Sequence, residues 1–286
     1  MRVEDKPKLK GADLFAYLKE HKEEIIRIKK SMPIKSHAVS TNYAAQEDKM
    51  FGFKGHVGQT EDKQLVAPEE PGNIMVRVVA NASMIVDSHQ DVLTGDCWNK
   101  SVKENGPTGT NIISHIHDHI HEVGAKIGVV KAINTIEVDA KTLGYPAKGR
   151  KKVKVLAFDT EVKRSFNNRI YNMYKEEAIN QHSIGLQYVK VELAINSDEP
   201  QYEEEKKVWD RAYGKLINPE AAEEREYFWL VEEIKVFENS AVLLGSNRGT
   251  PTLETAKAEP LEDTQQTEKK QEEPQESTPK RRFTVR

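Results

Sequence analysis

Between residues 73 and 237 the chain carries six segments rich in valine, isoleucine and aromatic residues, separated by charged or turn-forming stretches. They cover residues 73–83, 111–117, 125–140, 151–162, 183–195 and 227–237. β-branched and aromatic residues fit a pleated, half-buried surface, so each segment reads as a strand. One internal stretch breaks the pattern: Phe166, Ile170, Tyr174 and Ala178 recur at four-residue spacing and predict one face of a helix. Residues 196–225 are heavily charged and read as a surface insertion with some helix. The expectation is a mostly β protein with flanking helices, an α+β fold.

The flanks differ in texture. Residues 11–30 predict an amphipathic helix, with Leu14, Leu18, Ile25, Ile26 and Ile28 among Lys and Glu, and Pro33 ends the pattern. Residues 36–72 are polar and punctuated by Gly and Pro, as in a linker. After Thr252 the composition turns to Glu, Gln, Lys, Thr and Pro, which cannot bury enough surface to offset its ordering entropy. Three parts are therefore expected: an N-terminal helix and arm over 1–72, a folded domain over 73–251, and a disordered polar tail over 252–286.

Bulk properties exclude several classes. A net charge of -3 provides no global basic field, so direct nucleic-acid binding is not expected. No apolar run approaches the roughly 18–20 residues that span a bilayer, and the N-terminus has no signal-peptide core. The single cysteine, Cys97, excludes an intramolecular disulfide and fits a reducing cytoplasm. As a nucleophile it is a remote option, because Asp96 and Trp98 beside it offer no thiolate stabilisation.

The most conspicuous local pattern is Ser114-His-Ile-His-Asp-His-Ile-His121, whose four histidines alternate and share one face if the segment is extended. Imidazoles at that spacing suit zinc, which keeps a metal-dependent hydrolase built on His115–His121 open as an alternative. The ordered metal motifs are missing, however. HxHxDH needs one more residue before Asp118, and Ala125 stands where HExxH requires histidine. His89 and His182 are isolated. Solvent-facing histidines with one catalytic member are the favoured reading, with no metal and no cofactor.

Ser183 lies where the predicted helix gives way to a strand, next to Gly185, so little side-chain bulk would cover its hydroxyl. Such a hydroxyl needs a nearby base to act as a nucleophile. Ser-Ile-Gly alone is a weak signal; there is no GxSxG elbow or P-loop, and the SxxK at Ser277 falls in the tail. Glu238 closes the last strand and offers the carboxylate that orients a histidine in a triad, whereas Glu232 and Glu233 read as a solvated strand edge.

Four segments in order resemble the prohead maturation proteases of tailed phages, a family related in fold to the herpesvirus capsid protease. They are Val86-Asp-Ser-His-Gln-Asp-Val-Leu-Thr-Gly95, His121-Glu-Val-Gly-Ala-Lys-Ile-Gly128, Ser183-Ile-Gly-Leu186, and Glu238-Asn-Ser-Ala-Val-Leu-Leu-Gly-Ser-Asn247 with Thr250-Pro251 behind it. The resemblance spans residues 75–251 and implies a herpesvirus-protease-like β-barrel core.

It also implies a serine endopeptidase acting through an acyl-enzyme. Ser183 is then the nucleophile, Glu238 the third member, and Gly185 with its neighbours a source of oxyanion donors. Spacing favours His121 as the base, with His117, which precedes Asp118, as the alternative. The implied substrates are the major capsid protein and its scaffold segment, and the chain itself by autocleavage, inside an assembling prohead in the host cytoplasm. A homo-oligomer is compatible, and the basic end Lys280-Arg-Arg-Phe-Thr-Val-Arg286 could dock on an acidic scaffold. A non-enzymatic assembly or scaffolding protein that keeps a protease-like core is the remaining alternative.

Overall fold

The computed structural model describes residues 9–31, 34–35, 65–68, 72–145 and 152–257. Among the described residues nine strands and six helices follow one another. Helices α1 (Gly11–Glu20) and α2 (Lys22–Ser31) precede β1 (Ile34–Lys35), β2 (Ile74–Ala82) and β3 (Asp91–Leu93). Next come α3 (Asn99–Asn105), β4 (Ser114–His117), β5 (Gly128–Asp139), β6 (Lys152–Val162), α4 (Asn168–Lys175) and β7 (His182–Ile195). Helices α5 (Glu203–Tyr213) and α6 (Pro219–Arg225) lead to β8 (Tyr227–Ala241) and β9 (Thr252–Lys257). The fold is mixed α+β with more strand than helix.

The strands make two sheets. One runs β5-β6-β2-β9 and is antiparallel throughout; the other runs β1-β7-β8-β3, with β4 also on β8. They are not closed into a barrel, which corrects the expected β-barrel core. The main core gathers Val76, Val78, Phe158, Ile184, Leu193 and Trp229 from both sheets. With apolar side chains on the facing sides of both sheets, burial is satisfied by packing face to face, as in a sandwich.

Strand β8 organises the second sheet. Antiparallel β7 lies along one side, from Ile195 opposite Tyr227 to His182 opposite Ala241. Along the other side β3 and β4 follow end to end, both parallel to it: Asp91–Leu93 face Trp229–Val231, and Ser114–His117 face Glu238–Ala241. The crossover between them contains α3, preceded by Trp98, whose fully buried indole donates to Thr135 Oγ1 at 2.9 Å.

Several boundaries differ from expectation. The predicted N-terminal helix is two, parted at His21, where ψ rises to 12°. Both pack on the domain rather than forming a separate arm. Phe15 and Leu18 join the main core, and Lys19 and Lys22 pair with buried Glu205 at 3.0 and 2.8 Å. Lys29 reaches buried Asp91 at 2.6 Å and lies over the rings of Tyr188 and Trp229. The predicted tail begins too early, since Thr252–Lys257 pairs with β2 and buries Leu253. Helix α4 is shorter than its pattern: Ile170 and Tyr174 are buried, but Phe166 lies before the Asn167 cap and Ala178 lies beyond the left-handed Glu177, and both are exposed. The charged insertion is helical as expected, and Trp209 of α5 stacks on Tyr213 and packs against Phe228. The expected linker lies largely outside the described residues, as does the tail beyond residue 257.

Candidate active site

Strand pairing brings the sequence-predicted serine and glutamate onto one face. Ser183 on β7 lies opposite Ser240 on β8, and Gly185 lies opposite Glu238. Side chains two apart on a strand share a face, and directly opposed residues have Cβ atoms roughly 4.5–5.5 Å apart. Ser183, Glu238 and Ser240 therefore form one patch, and all three are buried. Ser183 was expected at a helix–strand junction with its hydroxyl open. It lies one residue inside β7, six residues of loop after α4, and is 4% exposed.

The histidine run divides instead of lining one face. The strand ends at His117, and Asp118 and His119 both take left-handed backbone, with φ of 51° and 54°. Non-glycine residues pay roughly 1–3 kcal/mol each in such regions, so local contacts must hold the turn. They do: Asp118 N–H donates to Ala241 O at 2.9 Å, and His119 N–H donates to Ser240 Oγ at 3.1 Å. The turn swings His119 across β8, where its ring is buried and Nδ1 lies 2.6 Å from Glu238 Oε1.

Ser240 completes the arrangement. Its hydroxyl donates to Glu238 Oε2 at 2.9 Å while accepting the His119 amide, so both carboxylate oxygens are engaged. A carboxylate facing Nδ1 selects the tautomer with hydrogen on that nitrogen and leaves Nε2 as the basic one. Glu238 thus lies against the ring of His119. His121, expected as the base, has a side chain 43% exposed and its Nε2 3.8 Å from Glu238 Oε1. His117, the alternative, turns Nδ1 to Asp118 at 2.9 Å.

Gly185 makes room for this carboxylate. A Cβ there would come within 3.0 Å of Glu238 Cγ and Cδ and closer still to Oε1. Gly185→Ala is therefore expected to overpack this point and cost about 1–3 kcal/mol of stability. Urea midpoints of wild type and variant check it; an unchanged midpoint would show that the carboxylate yields freely.

On the opposite face of the same strands lies a buried polar chain. Thr160 Oγ1 meets His115 Nδ1 at 2.8 Å, and Asn239 Nδ2 donates to His115 Nε2 at 2.9 Å. The Tyr174 hydroxyl donates to His182 Nε2 at 2.9 Å, and His182 Nδ1 donates to Thr250 O at 2.9 Å. Burial pushes His182 down to about 4, and burial with the neighbouring His182 pushes His115 well below the usual histidine range. Burial also pushes the Tyr174 hydroxyl up, keeping it a donor. These neutral imidazoles form a hydrogen-bonded floor beneath Ser183 and Glu238.

The expectation that the four histidines face solvent is thus corrected for His115 and His119, and the run does not converge on one point. Among the described residues no three His, Cys, Asp or Glu side chains are grouped as metal ligands. Cys97 is buried, and burial pushes its thiol well above the usual range, which disfavours the thiolate a nucleophile needs.

The floor has a pH signature. An unfolded histidine takes its proton near pH 6.5, before native His182 does, so its contribution is full above that pH and lost as pH falls through about 4. The loss amounts to roughly 3 kcal/mol for this residue. Denaturant midpoints measured from pH 7 to 4 should fall accordingly. His182→Asn, whose amide can still donate to Thr250 O, should flatten that slope.

Comparison with known proteins adds nothing to this geometry. No family model, curated protein or solved structure matches the chain. His119 and Ser240 were the residues that sequence reasoning missed. The available signal was Asp118, a turn-favouring residue placed directly after a short strand.

Proposed function

We propose that the chain is a serine endopeptidase with Ser183 as nucleophile, His119 as general base and Glu238 as its orienting carboxylate. The observation that carries this reading is the 2.6 Å contact between His119 Nδ1 and Glu238, one cross-strand pair from Ser183. His119 replaces both His121 and His117 as the base, since it is the histidine whose ring is buried against the carboxylate. A triad needs a nucleophile, a base and an orienter rather than any fixed chain order.

In this mechanism His119 Nε2 removes the Ser183 Oγ proton as the oxygen bonds to the scissile carbonyl carbon. The same nitrogen then protonates the departing amine as the C–N bond breaks, leaving an acyl-enzyme. Water repeats the sequence, giving its proton to His119 and its hydroxyl to the acyl carbon, and Ser183 is released. Glu238 holds the ring and stabilises the imidazolium formed in each half-reaction.

The resemblance to prohead maturation proteases, including their kinship with the herpesvirus capsid protease, supports a biological setting. The substrates are the major capsid protein, its scaffold segment and the chain itself, cleaved in the host cytoplasm inside an assembling prohead. The test is co-expression of wild type and Ser183→Ala with a major capsid protein, reading intact masses. Loss of both capsid-protein trimming and self-trimming in the serine variant supports the reading. Trimming that persists in Ser183→Ala but stops with a chelator would transfer the activity to metal chemistry. No trimming even by wild type would favour an assembly protein.

A further inference from the structure

Strand β1 is the shortest element of the fold and occupies a telling place. Ile34 pairs with Leu186 and Lys35 with Gly185, antiparallel, on the edge of β7 away from β8. His119 and Glu238 reach the site from the other flank, over β8 and β4. The β1 edge is thus the side of Ser183 that the catalytic pair does not approach. We propose that this edge is where an extended peptide substrate adds as a strand, and that Ile34–Lys35 occupies it as a self-inhibitory stand-in. The inference rests on the serine-peptidase reading above.

Direction and register make the proposal specific. Because β1 runs antiparallel to β7, it advances from Leu186 toward Gly185 and hence toward Ser183. A peptide keeping that register would meet Ser183 two residues beyond the place of Lys35. The residues it leaves on the Gly185–Leu186 edge would then be those preceding the scissile bond, the half retained in the acyl-enzyme. Strand addition supplies affinity through backbone hydrogen bonds and suits any extended, unfolded segment. The substrate class is therefore an unstructured polypeptide stretch rather than a folded surface.

A two-residue ladder is easily displaced on its own. It is held near the edge by α2, whose Lys29 is anchored on Asp91 at 2.6 Å and whose Lys30 carbonyl accepts from Gln187 Nε2 at 2.8 Å. Gln187 is the residue following Leu186 on β7, so the tether ends beside the edge it delivers β1 to. Such tethering raises the local concentration of a weak occupant without any further contact. An occupied edge lowers the apparent affinity for a competing peptide by the fraction of molecules in which it is free.

The test uses the full chain and the double variant Ile34→Pro/Lys35→Pro, which removes both backbone donors of β1. Two probes are read: labelling of Ser183 by a small fluorophosphonate, and cleavage of an extended fluorogenic peptide carrying residues 30–41 of this chain. The expected result is a peptide KM lowered about tenfold, equivalent to about 1.4 kcal/mol, with kcat and the labelling rate unchanged. An unchanged or raised KM with normal labelling overturns the stand-in while leaving the peptidase intact. Absence of labelling and cleavage in both proteins overturns the peptidase reading, and this inference with it. Should the double variant melt well below wild type, Lys35→Pro alone is read by the same two probes, with the same KM decision.

Discussion

Under the peptidase mechanism proposed above, replacing His119 by alanine is expected to lower kcat/KM for peptide cleavage on the order of 10⁴-fold or more, as loss of a triad base does elsewhere. The variants His121→Ala and His117→Ala should stay within about tenfold of wild type, because neither ring is buried against the carboxylate that orients a base. The reasoning is geometric. His119 Nδ1 meets Glu238 Oε1 at 2.6 Å inside a buried patch, and Ser240 fixes both the His119 amide and the second carboxylate oxygen. Removing the ring takes away the imidazole buried against Glu238, and a hydroxyl without a well-placed base is a poor nucleophile at neutral pH. Single-turnover kinetics on the three variants decide the assignment. A severe loss in His121→Ala with mild loss in His119→Ala would return the base to the more exposed residue.

The second large effect concerns stability. Arg77 points outward from β2 yet is buried, and it forms a two-pronged pair with Asp159 of β6: Nε to Oδ1 and Nη2 to Oδ2, both at 2.7 Å. Glu254 on β9 adds its carboxylate at 3.9 Å, so the cation ties three strands of one sheet. Asp159→Ala removes the two-pronged partner of a buried guanidinium, which should cost about 3–5 kcal/mol. The paired variant Arg77→Met/Asp159→Leu removes both charges together and should recover most of the loss. Urea midpoints for the single and double variants measure the difference. Equal destabilisation by both would show that packing, rather than the stranded charge, sets the penalty.

Much of the architecture was legible because burial imposes period. The six apolar segments each became a strand, and Ser183 and Glu238 were brought together by the pairing of two of them. What escaped notice lacked that signal. Strand β3 is only three residues long, and β9 carries a single fully buried apolar residue, Leu253, among residues that are polar except for Ala256. Both exist because neighbouring strands offered open edges, a property no local pattern records. His119 escaped for a different reason. Alternation along residues 115–121 assumes continuous extension, and the left-handed pair Asp118–His119 breaks it. Gly185 was noticed as a small neighbour of Ser183, but its spatial role, clearing a path for Glu238, depends on a cross-strand register.

The position of β8 has a consequence for timing during synthesis. Among the described residues it is the strand that pairs with both β4 and β7, and hence the one that joins the histidine turn to the serine strand. Residues 227–241 leave the ribosome after both partners. Until they do, Ser183 and His119 belong to fragments with no shared strand, and Glu238 does not yet exist. On the peptidase reading proposed above, a nascent chain would stay chemically silent until its late strand inserts, and would be spared premature self-cutting.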